Sequence, residues 1–283
     1  MKHVLVWLAR ITETCSSFLV TAPHLLVDKV GHVVTVTMNR PEAKNSFSLE
    51  MLARLADAWD LIDGDPDVRV AILTGANQTF SAGADLKAMN SSRDGDPWAA
   101  RFKAEPDLHW KAFLRHYRLK KPLIAAVEGY CIAGGAEILQ ATDIRIAGQG
   151  AKLGVSEARW GLFPLGGSTV RLRRQVPYTV AMDILLTGRH LSAEEALRVG
   201  LVGRVVPDGQ ALEEALRAAG QIADNGPVAV QAIKRSVQAT EGLPEAEALK
   251  LELEIGQAVF ASEDSREGPR AFAEKRKPAF KGR

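Results

Sequence analysis

Leu123-Ile-Ala-Ala-Val-Glu-Gly-Tyr-Cys-Ile-Ala-Gly-Gly-Ala-Glu-Ile-Leu-Gln-Ala141 decides how this chain folds. An apolar run, a glycine-bearing turn and a helix-like run follow in direct succession, the order strand, turn, helix. The turn Ala133-Gly-Gly-Ala-Glu137 puts the Gly134 amide at a helix N-terminus, where free N–H groups and the helix dipole favour an anion. A second turn, Phe80-Ser-Ala-Gly-Ala-Asp-Leu-Lys87, offers another main-chain donor at Ala84, since glycine and alanine keep side chains out of a ligand's way. With Glu157 added, the set reads as an oxyanion hole, its donors Ala84 and Gly134, facing two carboxylates, Glu137 and Glu157. Either turn alone reads as an ordinary turn.

Outward from this stretch, alternation over 32–39 and the apolar run over 68–73 predict strands. The helix between them, over 49–62, has Ser46 or Ser48 as N-cap. Further strands are expected over 124–128, 143–147 and 204–206, with helices over 98–117, 134–141 and 167–174, giving repeated strand, strand, helix units. Beyond Pro177 the pattern turns helical: 178–186, 193–199, 211–223, 227–240, 244–260 and 265–275. Asp63-Gly-Asp-Pro-Asp67 opens like a calcium loop, but Val68 stands where that loop needs glycine and Thr74 where it needs glutamate, so it reads as a turn.

At 283 residues, 46% apolar, the chain can bury one large core. Lys and Arg number 36 against 34 Asp and Glu, a balance that argues against nucleic acid or an anionic membrane as main partner. Cys15 and Cys131 lie far apart with no ligand-like spacing, which favours a reducing cytoplasm over a disulfide framework or a metal site; Cys131 reads as a packing residue. His109 and His116, seven apart, lack a carboxylate partner and are not read as metal ligands. The apolar run Val4-Leu-Val-Trp-Leu-Ala9 ends at Arg10, short of the roughly 7 to 15 residues of a secretory core and the roughly 20 of a membrane span. Residues 1–23 are therefore read as an N-terminal extension, expected to be disordered.

The chain resembles the crotonase superfamily and, within it, the enoyl-CoA hydratase/isomerase family. The resemblance rests on Val33-Val-Thr-Val-Thr-Met-Asn-Arg-Pro-Glu-Ala-Lys-Asn45, Val70-Ala-Ile-Leu-Thr-Gly75, the two turns and Leu153-Gly-Val-Ser-Glu-Ala158. It continues through Pro164-Leu-Gly-Gly-Ser168, Leu186-Thr-Gly-Arg189 and Ala271-Phe-Ala-Glu-Lys-Arg-Lys277, all in order. It implies an α/β fold, a spiral of repeated ββα units over 24–204, followed by a C-terminal helical region over 205–283 that serves oligomerisation and CoA contact. It further implies a homotrimer or a dimer of trimers, an acyl-CoA thioester substrate, and no cofactor beyond the coenzyme A carried by that substrate.

By the same resemblance Glu137 and Glu157 match the two catalytic glutamates, and Ala84 and Gly134 the oxyanion-hole amides. Hydration of a conjugated thioester needs a polarised carbonyl, water at the β-carbon and a proton at the α-carbon, a division of labour that suits two facing carboxyls. Burial and like charge should push their titrations apart and leave one proton shared. Ala43, Lys44, Ser81, Ala82, Asp85, Leu86, Lys87, Trp110 and Gly135 are the implied substrate and CoA contacts. Phe272 and Lys275 of the last helix match residues that approach the adenine end. The family's second turn commonly carries three glycines, whereas here Ala133 and Ala136 flank two. Trp110, Phe113, Leu114 and Tyr117 are spaced as one helix stripe, read chiefly as core.

Two rival functions remain at this point. A double-bond isomerase on the same scaffold would need only Glu157, and a non-catalytic acyl-CoA-binding or RNA-binding protein would need neither carboxylate. A serine hydrolase is disfavoured, because Ser81, Ser156 and Ser168 sit in no nucleophile elbow. The acyl group is not specified: fatty, branched and steroid-side-chain thioesters present the same reacting atoms.

Overall fold

The computed structural model describes residues 22–85 and 95–283. The extension read over 1–23 lies almost wholly outside the described residues, as do Leu86 and Lys87. Strands β1 (Leu25–Val30) and β2 (Val33–Met38) form an antiparallel hairpin closed at Gly31, whose φ of 58° suits glycine. β3 (Val70–Gly75), β4 (Leu123–Val127), β6 (Ile144–Gly148) and β9 (Arg204–Val206) then add in parallel, giving a six-stranded sheet in the order β1-β2-β3-β4-β6-β9. A second layer holds β5 (Tyr130–Ile132), β7 (Lys152–Gly154) and β8 (Leu191–Ser192), and a bridge from Ser81 to Cys131 ties the first glycine turn to it.

The sheet is buried on both faces, as parallel sheets are, so its central strands are continuous apolar runs. Alternation still assigns the residues. Ala71, Leu73, Leu123, Ala125 and Val127 face the main core, while Val70, Ile72, Ile124 and Ala126 face the alanines Ala211, Ala215, Ala218 and Ala219 of helix α8 (Ala211–Ala223). Helix α1 (Leu49–Gly64) closes the opposite face, capped by Ser48, whose Oγ accepts from Met51 N at 3.1 Å. Its Trp59 is fully buried and donates Nε1–H to Ala112 O at 3.0 Å, so burial leaves no orphan donor.

The continuous helix expected over 98–117 is instead two short ones, α2 (Ala99–Ala104) and α3 (Leu108–Ala112). Pro106 is the reason: it has no N–H to donate, and it drives Glu105 out of the helical region, to φ −123° and ψ 79°. Short strands β5, β7 and β8 also go beyond the sequence reading. Helix α4 (Gly134–Leu139) follows β5, and α5 (Ser168–Gln175) and α6 (Tyr178–Thr187) follow β7 through a 3₁₀ turn at Glu157–Trp160. Helix α7 (Ala193–Arg198) carries a capping box between Ser192 and Glu195. The chain closes with α9 (Pro227–Thr240), α10 (Glu245–Phe260) and α11 (Glu263–Ala273). No helix among the described residues is long and apolar enough to cross a membrane.

Candidate active site

The two glycine turns meet. Gly83 has φ 87°, and a Cβ placed on it would lie 2.7 Å from Ala133 Cβ and 2.8 Å from Gly134 N, so only glycine permits this approach. The first turn is fixed from behind: Ser81 Oγ donates to Asn45 O at 2.8 Å and accepts from Gly83 N at 3.1 Å, and Phe47 N donates to Gly83 O at 2.8 Å. The second is fixed by Ala133 N donating to Gly154 O at 2.8 Å. Ala133 itself takes φ 50° and ψ −125°, a conformation that ordinarily selects glycine. Ala84 N and Gly134 N, in contrast, find no acceptor among the described residues. Phe47 and Phe113 wall Gly134, their rings packed edge to face at 5.0 Å between centroids.

Both glutamates arrive at this place. Glu137, in the first turn of α4, is 5% exposed, and its carboxylate accepts from Ser168 N at 3.2 Å with the amides of Gly166 and Gly167 close by. Burial nevertheless raises its pKa above the usual carboxylate range, against the pull of those amides. Glu157 opens the 3₁₀ turn after β7 and is 9% exposed, and its Oε2 is buried with no hydrogen-bond partner. Burial first, and the charge of Glu137 second, push its pKa up to about 7. Two carboxyls from separate segments thus share one field, and the pair favours holding a proton near neutrality.

The remaining sequence candidates divide into groups. Lys44 and Ala82 flank the first turn, Ala82 N donating to Lys44 O at 2.9 Å, and Lys44 Nζ lies 4.9 Å from the centroid of the Tyr130 ring; Ala43 ends the adjoining 3₁₀ turn. Asp85 pairs with Arg40 at 2.7 Å. Gly135 packs its Cα face on Ser81, where a Cβ would come 2.6 Å from Ser81 O. Trp110 lies against His109 and beneath Arg115, and Phe113, not Trp110, borders Gly134. The stripe containing it is partly core, with Phe113 and Leu114 buried, and Tyr117 donating to Asp63 at 2.7 Å. Asp63 also accepts from Lys120 N, and Asp65 pairs with Lys29, so those acidic groups serve the fold. Phe272, 87% exposed, and Lys275 sit at the end of α11, and no hydrogen bond, ion pair or ring contact among the described residues joins them to the glutamates. Cys131 is fully buried beside Gly135 O, as a packing residue.

Sequence reasoning passed over several residues that build the site. Asn45 is fully buried and donates to Ala76 O at 2.9 Å and Thr79 O at 2.6 Å, while accepting from Arg40 N at 2.8 Å. Gly166 and Ser168 shape the seat of Glu137, and their motif Pro164-Leu-Gly-Gly-Ser168 was the available signal.

The family model for enoyl-CoA hydratase/isomerase matches residues 28–283. The chain is 56% identical over 263 residues to the enoyl-CoA hydratase EchA19 of Mycobacterium tuberculosis, covering 93% of this chain and 98% of that one. It is 39% identical over 262 residues to the (E)-benzylidenesuccinyl-CoA hydratase of Thauera aromatica, covering 89% and 96%. Among solved structures, enoyl-CoA hydratase EchA1 from Mycobacterium marinum superposes with a TM-score of 0.84 at 39% identity, covering 93% of this chain and all of that one. An enoyl-CoA hydratase from Mycobacterium tuberculosis H37Rv superposes with a TM-score of 0.83 at 38% identity, with 93% and 100% coverage.

Proposed function

The chain belongs to the enoyl-CoA hydratase/isomerase family and is an enzyme of the enoyl-CoA hydratase type. From that premise we propose that it adds water across the 2,3 double bond of a trans-2-enoyl-CoA, using Ala84, Gly134, Glu137 and Glu157. The observation that carries this reading is the pair of buried carboxyls with raised pKa, beside two main-chain amides that have no acceptor among the described residues.

In the reaction the thioester oxygen accepts hydrogen bonds from Ala84 N and Gly134 N, which stabilise the charge that develops there. Glu137 holds the water, whose oxygen bonds to the β-carbon as the π pair shifts toward the carbonyl. Glu157 gives its proton to the α-carbon, and the proton lost by water stays on the carboxyl pair, ready for the next cycle. Water exclusion by Phe47 and Phe113 strengthens these interactions. The reading calls for no metal or redox cofactor. The coenzyme A portion meets Lys44 and, across a subunit boundary in a trimer or dimer of trimers, Phe272 and Lys275. Ala43, Ser81, Ala82 and Asp85 line its path.

Glutamine at either position keeps size and removes the ionisable group. Glu157→Gln should lose hydration and any double-bond isomerisation together. Glu137→Gln should lose hydration by roughly two to three orders of magnitude, the cost of one comparable transition-state contact, yet retain more isomerisation, which needs no water. A folded Glu137→Gln protein hydrating at parental rate would make this an isomerase.

A further inference from the structure

Glu157 is reached from the side away from the glycine turns by a segment with no role assigned so far, Gly188-Arg189-His190. His190 Nε2 lies 2.8 Å from Ser156 Oγ, a hydrogen bond between residues 34 apart in sequence, and Ser156 is the 94% buried N-cap residue of the turn that Glu157 begins. The contact depends on an absent side chain. A Cβ on Gly154 would lie 2.8 Å from His190 Cδ2, so glycine there lets the imidazole lie across the end of β7. Gly154 also bears the carbonyl that accepts Ala133 N at 2.8 Å, one residue before the candidate oxyanion donor Gly134. Gly188, with φ 66°, closes the clamp: a Cβ there would strike Arg159 Cγ at 2.5 Å and approach Ser156 Cα at 3.5 Å.

One imidazole therefore touches both ends of the segment that spaces the oxyanion turn from Glu157. The Ser156 side chain makes no capping bond to its own 3₁₀ turn, so the bond to His190 is what fixes its rotamer. Burial, with Arg159 and Lys152 nearby, lowers the pKa of His190, which keeps the ring neutral at pH 7 and able to exchange this bond with a hydroxyl.

We propose that His190, acting through Ser156 and Gly154, is a positioning residue that holds the Glu157 carboxyl in register with the oxyanion donors. It does not touch substrate. The inference rests on the proposed hydration reaction for its kinetic readout, and on Glu157 alone for a second one.

The test compares parent, His190→Ala, His190→Gln, Ser156→Ala and the double variant His190→Ala/Ser156→Ala. A misplacement of several tenths of an ångström at a reacting carboxyl is expected to lower kcat about tenfold in His190→Ala and in Ser156→Ala, with KM within about twofold of parent. The double variant should be no worse than the poorer single one, because both remove the same bond. His190→Gln, which can still reach Ser156, should recover part of the loss. In parallel, the titration of Glu157 is followed by carbon NMR of glutamate labelled at the carboxyl, which needs no turnover. It should move in both alanine variants, because the amides and burial around Glu157 shift with the turn. A role confined to stability would lower Tm and leave kcat and that titration unchanged. If the folded alanine variants keep parental kcat and titration, or if their losses multiply, the proposal is overturned. A parent that does not hydrate enoyl-CoA refutes the proposed reaction instead, and the titration then decides the role of His190 alone.

Discussion

Gly166→Ala is the sharpest probe of how the Glu137 carboxyl is seated. A Cβ built at position 166 lies 2.6 Å from Glu137 Oε2, 2.8 Å from Cδ and 3.0 Å from its Cβ, whereas ordinary contact begins at 3.4 Å. The carboxyl must retreat by roughly 0.8 Å, and displacement on the order of 1 Å at a reacting group costs about 100-fold in rate. We expect kcat for hydration to fall by about 10- to 100-fold, or about 1.4–2.7 kcal/mol in barrier. KM should barely move, since the coenzyme does not reach this seat. The assay is the loss of absorbance of the conjugated thioester, run on protein whose folding is verified by circular dichroism and thermal melting. Gly256→Ala serves as control: its Cβ, in the middle of α10, meets nothing within 4 Å. It should keep parental kcat and gain up to about 1 kcal/mol from helix propensity. A folded Gly166→Ala enzyme with kcat within twofold of parent would refute the claim that the placement of the Glu137 carboxyl limits the reaction.

Two further outcomes concern stability. Glu157 has a folded pKa of about 7 against an ordinary 4.5, so the native state holds its proton more tightly than the unfolded chain, and parental stability falls as pH rises through that window. Glu157→Gln lacks this loss: its Tm advantage over parent should be near zero at pH 5 and grow to a few degrees by pH 8, and a difference that does not vary with pH would contradict the raised pKa. Ala133→Gly should raise stability by about 1 kcal/mol, because relief of a strained positive φ outweighs the larger unfolded-state entropy of glycine; a lower Tm would show that Ala133 is not strained.

Features set by local chemistry were legible from the amino acids. Ser48 caps α1 because its hydroxyl meets the third amide of a helix, a rule of spacing, and the central strands declare themselves by apolar runs. Pro106 was also visible, yet the aromatic stripe on either side of it masked the break. Strands of three residues, such as β5 and β7, are too short to show a period, and they exist because neighbouring segments pair with them. Glu137 and Glu157 could be matched to roles only through resemblance, since nothing in a twenty-residue separation says that two carboxyls share a field. Ala133 hid its backbone conformation behind a residue that usually avoids it. The bond from His190 to Ser156 depends on a glycine two residues before the serine and on the turn at Gly188, a conjunction no linear pattern encodes.

Asn45 has a consequence for how this protein can be remodelled. The segments 40–47 and 79–85 are laced together by its two donated bonds, together with Ala82 N to Lys44 O, Ser81 Oγ to Asn45 O, Phe47 N to Gly83 O and the Arg40–Asp85 pair. They behave as one transplantable unit. A chimaera that exchanges only the glycine turn with a relative would sever the lacing and strand buried carbonyls, whereas moving both segments at once carries the amide-donor geometry across intact. At position 45 itself the choice is close to single-valued. Aspartate would press a charged oxygen against the carbonyls of Ala76 and Thr79, and leucine would leave both of them, and Arg40 N, without partners.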